Sequence, residues 1–165
     1  MNKKSQAQKI AISGVLIALA AVFGTFSIPI GAAKISPVQH FVNVVSAITL
    51  GPVYAVINAF AASLLRNICG TGSLLAFPGS MVGAFLSGIL YKKFKSVSAG
   101  VIGEVFGTGI LGALIAYPVA VFLMGKSGAV VMFVVPFLCS CSFGAVLAYV
   151  FLKIPVIREL TVTEQ

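Results

Sequence analysis

Two glycine-rich stretches are the first candidates for chemistry. "GTGILG", Gly107 to Gly112, has the G-x-G-x-x-G spacing that brings a backbone close to a dinucleotide's pyrophosphate. "AVFLMGKS", Ala120 to Ser127, resembles a phosphate-binding loop, but Ala120 stands where that loop needs its first glycine. Context excludes both. The dinucleotide fingerprint requires a preceding strand and an acid about 20 residues on. Met132 stands at that distance, and the next acid after Glu104 is Glu159. No hydrophobic strand with an acid for Mg²⁺ follows the second stretch. Packing is the better reading. Gly103 and Gly107, Gly109 and Ala113, and Gly112 and Ala116 are each four apart, and small residues at that spacing let helix backbones approach closely. Gly14-x-x-x-Ala18 beside Ala7-x-x-x-Ala11 repeats the device near the N-terminus, where a partner surface and internal packing are equal readings.

Other reactive side chains are sparse. The chain has one His and three acids, with no H-E-x-x-H or G-x-S-x-G and no second carboxylate near Glu104. An enzyme is therefore not expected, and without an ATP site any uphill work needs another subunit. His40, Cys69, Cys139 and Cys141 raise a soft metal site. Cys139 and Cys141, two apart on a helix, point to different faces, so small buried residues are the preferred reading and neither metal nor cofactor is expected. An odd cysteine count argues against a disulfide framework. What remains is a polar set suited to binding: Gln39, His40, Asn43, Arg66, Asn67, Thr71, Ser73 and Ser140, with Phe77, Tyr117, Phe133 and Phe137 as aromatic walls. Such a pocket suits a small, flat, neutral or weakly charged ring. The plainer alternative is that these residues cap helix ends or sit at lipid headgroups.

The elements that position this set must lie in lipid. Of 165 residues 59% are hydrophobic and only 8% charged, against about 25% charged in soluble domains. The net charge of +8 is scattered as punctuation between apolar runs, which argues for membrane topology and against nucleic acid. One membrane domain is expected, all-α, with spans at about 10–28, 38–50, 53–66, 77–91, 99–124 and 129–152 and a cytoplasmic tail at 154–165. The first apolar run, at 19 residues, is longer than the roughly 7–15 of a signal peptide's core, so it reads as a retained span.

The uncertain stretch is Val38 to Leu65, interrupted by Gly51–Pro52, which is either one kinked helix or a hairpin of two. Charge decides. Two helices give six spans with both termini inside. Eight basic residues are then cytoplasmic (Lys3, Lys4, Lys9, Lys92, Lys93, Lys95, Lys153, Arg158) and three external (Lys34, Arg66, Lys126). The short second and third helices leave room for an outer vestibule where Pro29–Val38, Arg66–Pro78 and Gly125–Gly128 meet. Gln39, His40 and Asn43 fall on the first turns of the second helix, at that outer side. Arg66 either snorkels to the interface or neutralises an acidic ligand group. Glu104 lies about 8 Å in from the cytoplasmic side, buried and hydrogen-bonded or protonated. That depth argues against ligand contact and for a part in packing or conformational change.

"PVQHFVNVV", "LGP", "LLRNICGTGSLLAFPGSMVGA" and "GEVFGTGILGALIAYP" resemble the ThiW family, from the first span to about Ile154. These are substrate-binding S components of energy-coupling factor vitamin transporters. The resemblance implies capture of a thiamine precursor, hydroxyethylthiazole, from outside. It also implies delivery through a transmembrane coupling subunit and two ATPases in the cell membrane. Small residues on the first helix contact the coupling subunit in related proteins; here the candidates are Ala7, Ala11, Gly14 and Ala18. With no Trp in the chain, stacking falls to Phe or Tyr, which fits one small ring better than whole thiamine. The alternatives are an S component for another precursor or a metal ion, or a structural or channel-forming subunit whose glycine faces build an oligomer.

Overall fold

A computed structural model describes residues 4–30, 33–125 and 130–161. Helix α1 (Gln6–Phe23) begins at a reciprocal cap. The Ser5 hydroxyl accepts the Gln8 N–H at 3.2 Å, and the Ser5 N–H donates to the Gln8 side chain at 2.9 Å. The helix stops short of Ile28, where the first span was expected to end. At Gly24 the carbonyl accepts from Arg66 Nη2 at 3.0 Å, and a Cβ would lie 2.4 Å from both Ala20 O and Arg66 Nε. The chain then becomes a short antiparallel hairpin, β1 (Ile28–Ile30) and β2 (Ala33–Ile35), with Pro29 opposite Lys34. This two-stranded turn of three residues a side interrupts a fold that is otherwise helical, as expected.

The stretch from Val38 to Leu65 is two helices, α2 (Pro37–Leu50) and α3 (Pro52–Ile68). Gly51 separates them with φ of 93°, a conformation that side chains rarely adopt, and Pro52 is preset for the first turn of α3. α4 (Ala76–Phe94) follows. α5 runs from Val97 to Leu123 and includes π-helical turns at Gly107–Gly112 and Val119–Leu123. The second comes directly after Pro118, which has no N–H to give the preceding turn. α6 (Val131–Lys153) is followed by a short α7 (Pro155–Thr161) within the stretch read as a cytoplasmic tail.

α2 is the axis of the bundle. Every residue from Val42 to Leu50 is buried, and the helix packs against α1, α3, α4, α5 and α6. α4 and α5 meet backbone to backbone. A Cβ on Gly103 would lie 2.7 Å from Leu86 O, on Gly107 2.8 Å from Gly83 Cα, and on Gly112 2.6 Å from Gly79 Cα. α1 is peripheral, burying only Ser13, Leu16 and Ala20. Its Ala7, Ala11, Gly14 and Ala18 are exposed, and a Cβ at Gly14 would meet nothing within 4 Å.

The outside is covered by large apolar side chains, with Phe122 at 83% and Phe26 at 77% exposure. That surface suits hydrocarbon. α1, α5 and α6 are long and apolar enough to cross a membrane, whereas α2 and α3, at 14 and 17 residues, are only about 21 and 25 Å long. Lys3, Lys126 and most of the expected outer loop Gly125–Gly128 lie outside the described residues.

Candidate functional site

The short α2 begins inside the bundle rather than at a surface. Ser36, just ahead of it, donates its N–H to Ser140 Oγ of α6 at 2.9 Å. Gly144 of α6 lets the helix settle, since a Cβ there would lie 2.2 Å from Pro37 O. This seating carries Gln39, His40 and Asn43 into the interior, where lipid supplies no hydrogen bonds and each group needs an internal partner.

Gln39 finds Arg66. The guanidinium, 3% exposed, donates through Nη1 to Gln39 Oε1 and through Nη2 to Gly24 O. Arginine only donates, so the Gln39 oxygen must face it and the amide nitrogen must point away. That nitrogen donates to Ser63 Oγ at 2.7 Å and Ser80 Oγ at 3.0 Å, and the Ser80 hydroxyl passes its proton to Ala76 O at 2.7 Å. Among the described residues no carboxylate pairs with Arg66. The guanidinium is thus buried in the bundle, not snorkelling at the interface.

His40 and Asn43 find Glu104. Its Oε1 lies 2.9 Å from His40 Nδ1, 3.0 Å from Asn43 Nδ2 and 3.0 Å from Thr108 Oγ1, while Oε2 has no partner. Asn43 Nδ2 also donates to Ser80 O at 3.2 Å, and Thr108 Oγ1 lies 3.1 Å from Gly79 O. Glu104 was expected to make no direct ligand contact, and it stands behind His40 and Asn43, off the cavity lining. α2 is too short to begin at the far surface, so its first turns sit level with Glu104.

A cavity opens between the two networks. Gln39, His40 and Ser36 form one side, Arg66 and Ser73 another, and Leu75, Ala76, Gly79 and Ser80 of α4 a third; Thr108, Phe137 and Ser140 complete it. Its volume is about 40 Å³, below the roughly 300–1,000 Å³ typical of small-molecule sites, so a ring enters only as the lining side chains give way. The Phe137 ring lies over Gly79, whose absent Cβ would meet ring Cε1 at 2.6 Å. The lining thus includes one aromatic ring among mostly polar and small side chains. It offers hydrogen-bonding groups and one aromatic face to a small molecule.

Of the residues expected at the site, Gln39, His40, Arg66, Ser73, Phe137 and Ser140 line the cavity. Asn43 and Glu104 stand one hydrogen bond behind it. Five others, Asn67, Thr71, Phe77, Tyr117 and Phe133, are placed elsewhere. Asn67 donates to Ser63 O at 2.8 Å and Ser73 O at 3.2 Å, and Thr71 donates to Arg66 O at 3.3 Å, so both tie down the loop after α3. Phe77 rests on Phe60 with ring centroids 5.5 Å apart, and Tyr117 on Phe133 at 6.0 Å within an apolar cluster. Ser36, Gly79, Ser80 and Thr108 were not foreseen. For Gly79 and Ser80 the one signal is the four-residue spacing of small residues on α4, Gly79–Gly83–Ser87 and Ser80–Ala84–Gly88. Cys69 and Cys139 are exposed and Cys141 is buried; among the described residues no three His, Cys, Asp or Glu side chains converge as metal ligands.

A family model described as thiamine-precursor transporter protein (ThiW) matches residues 10–157. No curated protein and no solved structure matches the chain.

Proposed function

The chain belongs to the ThiW family of thiamine-precursor transporter proteins, and from that premise we propose that it is the membrane-embedded capture subunit of an energy-coupling factor importer. In this reading it has six spans with both termini cytoplasmic, and it takes hydroxyethylthiazole from the outer side. A coupling subunit and two ATPases then drive delivery. The observation that carries the reading is the cavity between α2, α4 and α5, polar along Gln39, His40 and Arg66 and aromatic at Phe137. One aromatic face suits one five-membered ring. The outward stripe of Ala7, Ala11, Gly14 and Ala18 on α1 favours a close helix–helix contact with the coupling subunit.

Thermal unfolding of the detergent-purified protein tests this. Hydroxyethylthiazole at about a hundred times its Kd adds about 2.7 kcal/mol to stability, a rise of roughly 5–10 °C for a chain of this size. A rise with a different precursor and none with hydroxyethylthiazole would reassign the substrate. No response to any precursor would favour a structural subunit instead.

A further inference from the structure

We propose that the cavity selects a ligand carrying a hydrogen-bond donor, because Glu104 holds Nε2 of His40 toward the cavity as a bare acceptor. This rests on the small-ring reading of the cavity above.

Proton accounting carries the inference. The Ser80 carbonyl can only accept, so the Asn43 amide nitrogen is fixed on that side at 3.2 Å. The same nitrogen lies 3.0 Å from Glu104 Oε1, which must therefore accept from it. The Thr108 hydroxyl, also 3.0 Å away, crowds the same oxygen. The hydroxyl oxygen of a neutral carboxylic acid is a poor acceptor, so Oε1 carries no proton. The proton shared across the 2.9 Å contact with His40 then belongs to Nδ1. With no described group bonded to Nε2, a second proton there would lack an acceptor, so the ring is neutral, protonated on Nδ1, and presents a lone pair on Nε2.

No described group bonds to Nε2. His40 lines the cavity and its side chain keeps 11% exposure, whereas Glu104 behind it is fully buried. Gln39 is occupied by Arg66, Ser63 and Ser80, and the Ser80 hydroxyl by Ala76 O, while Ser36 Oγ and Arg66 Nε also lack partners and can serve a ligand's acceptor. A ligand that fills the cavity without a donor strands the His40 acceptor, and unpaired buried acceptors are costly. On hydroxyethylthiazole the sole O–H or N–H is the side-chain hydroxyl, so that group is directed at His40. Glu104 is a positioning residue: it acts on the ligand only through the proton it fixes.

Because the sequence holds a single histidine, ¹⁵N-histidine labelling reads one imidazole directly. The expected spectrum at neutral pH has Nδ1 protonated and Nε2 bare, with the Nε2 signal moving when hydroxyethylthiazole is added. In parallel, the 2-fluoroethyl analogue is compared by thermal shift and titration; fluorine is close to hydroxyl in size but has no proton to give. It should bind about tenfold or more weakly than the alcohol. Glu104→Gln, whose carbonyl can take the place of Oε1, should keep both the tautomer and this ratio. Glu104→Leu should release the proton to Nε2 and bring the ratio toward one. A proton on Nε2 in the wild-type protein, or equal affinity for the two compounds, overturns the proposal without need of any variant. Failure of the parent reading looks different: neither compound then shifts the melting temperature, and the nitrogen spectrum alone decides whether Nε2 is bare.

Discussion

Arg66 is held by neutral oxygens, Gln39 Oε1 and Gly24 O. Its planar fork reaches both at once, which a lysine ammonium cannot do from one point. Arg66→Lys should lower stability by about 1–3 kcal/mol, since one buried oxygen loses its donor. Gln39→Leu should cost about 3 kcal/mol or more, because it removes an acceptor from a buried cation. Thermal unfolding in detergent measures both, and no change in either would mean that the guanidinium is solvated in the membrane. At this scale the sequence was partly legible. Gln39 and His40 stood out because amide and imidazole groups in an apolar helix demand partners. Asn67 and Thr71 carried the same polarity and serve only the loop, which composition cannot reveal. Thr108 and Ser80 were hidden for another reason: helical hydroxyls commonly satisfy themselves on a carbonyl four residues back, as Ser80 does on Ala76.

Among the elements, the α4–α5 contact and the free face of α1 use the same small residues for opposite purposes. Gly112→Ala drives a Cβ toward Gly79 Cα, 2.6 Å away, where only backbone can yield. It should destabilise by about 1–3 kcal/mol. Gly14→Leu meets nothing within 4 Å, and replacing a helical glycine should instead raise stability by about 0.5–1 kcal/mol. If α1 docks on the coupling subunit, the same Gly14→Leu substitution should abolish co-purification with it. Retained co-purification would remove α1 from that interface. Sequence spacing marked both stripes but could not say which was filled, because that depends on where α1 lies. The α2–α3 break was readable from Gly51–Pro52, a purely local signal. The end of α1 was not, since Gly24 is constrained by Arg66, 42 positions away. Strands of three residues are also too short to show an alternating pattern.

At the scale of the whole molecule, Lys4, Lys9, Lys95 and Lys153 gather at one end. Lys4 Nζ donates to Thr49 O near the end of α2, and Lys9 lies 5.7 Å from the Tyr54 ring centre at the start of α3. Lys95 and Lys153 share a cleft where α4, α5 and α6 meet. Gly88 of α4 lies against Pro52, which ties these groups to the same end as the α2–α3 turn. The cavity lies toward the other end, beside Ser36 and Ser73. In the proposed orientation, with the lysine-rich end cytoplasmic, the cavity faces outward, as capture requires. Cys69, exposed at the end of α3, offers a test in a Cys139→Ala background. A membrane-impermeant maleimide should label Cys69 in intact cells, and a Lys93→Cys, Cys69→Ser variant only after permeabilisation. The reverse pattern would place the lysines outside and leave the cavity facing the cytoplasm, a geometry in which the chain could receive a ligand only after it had already crossed.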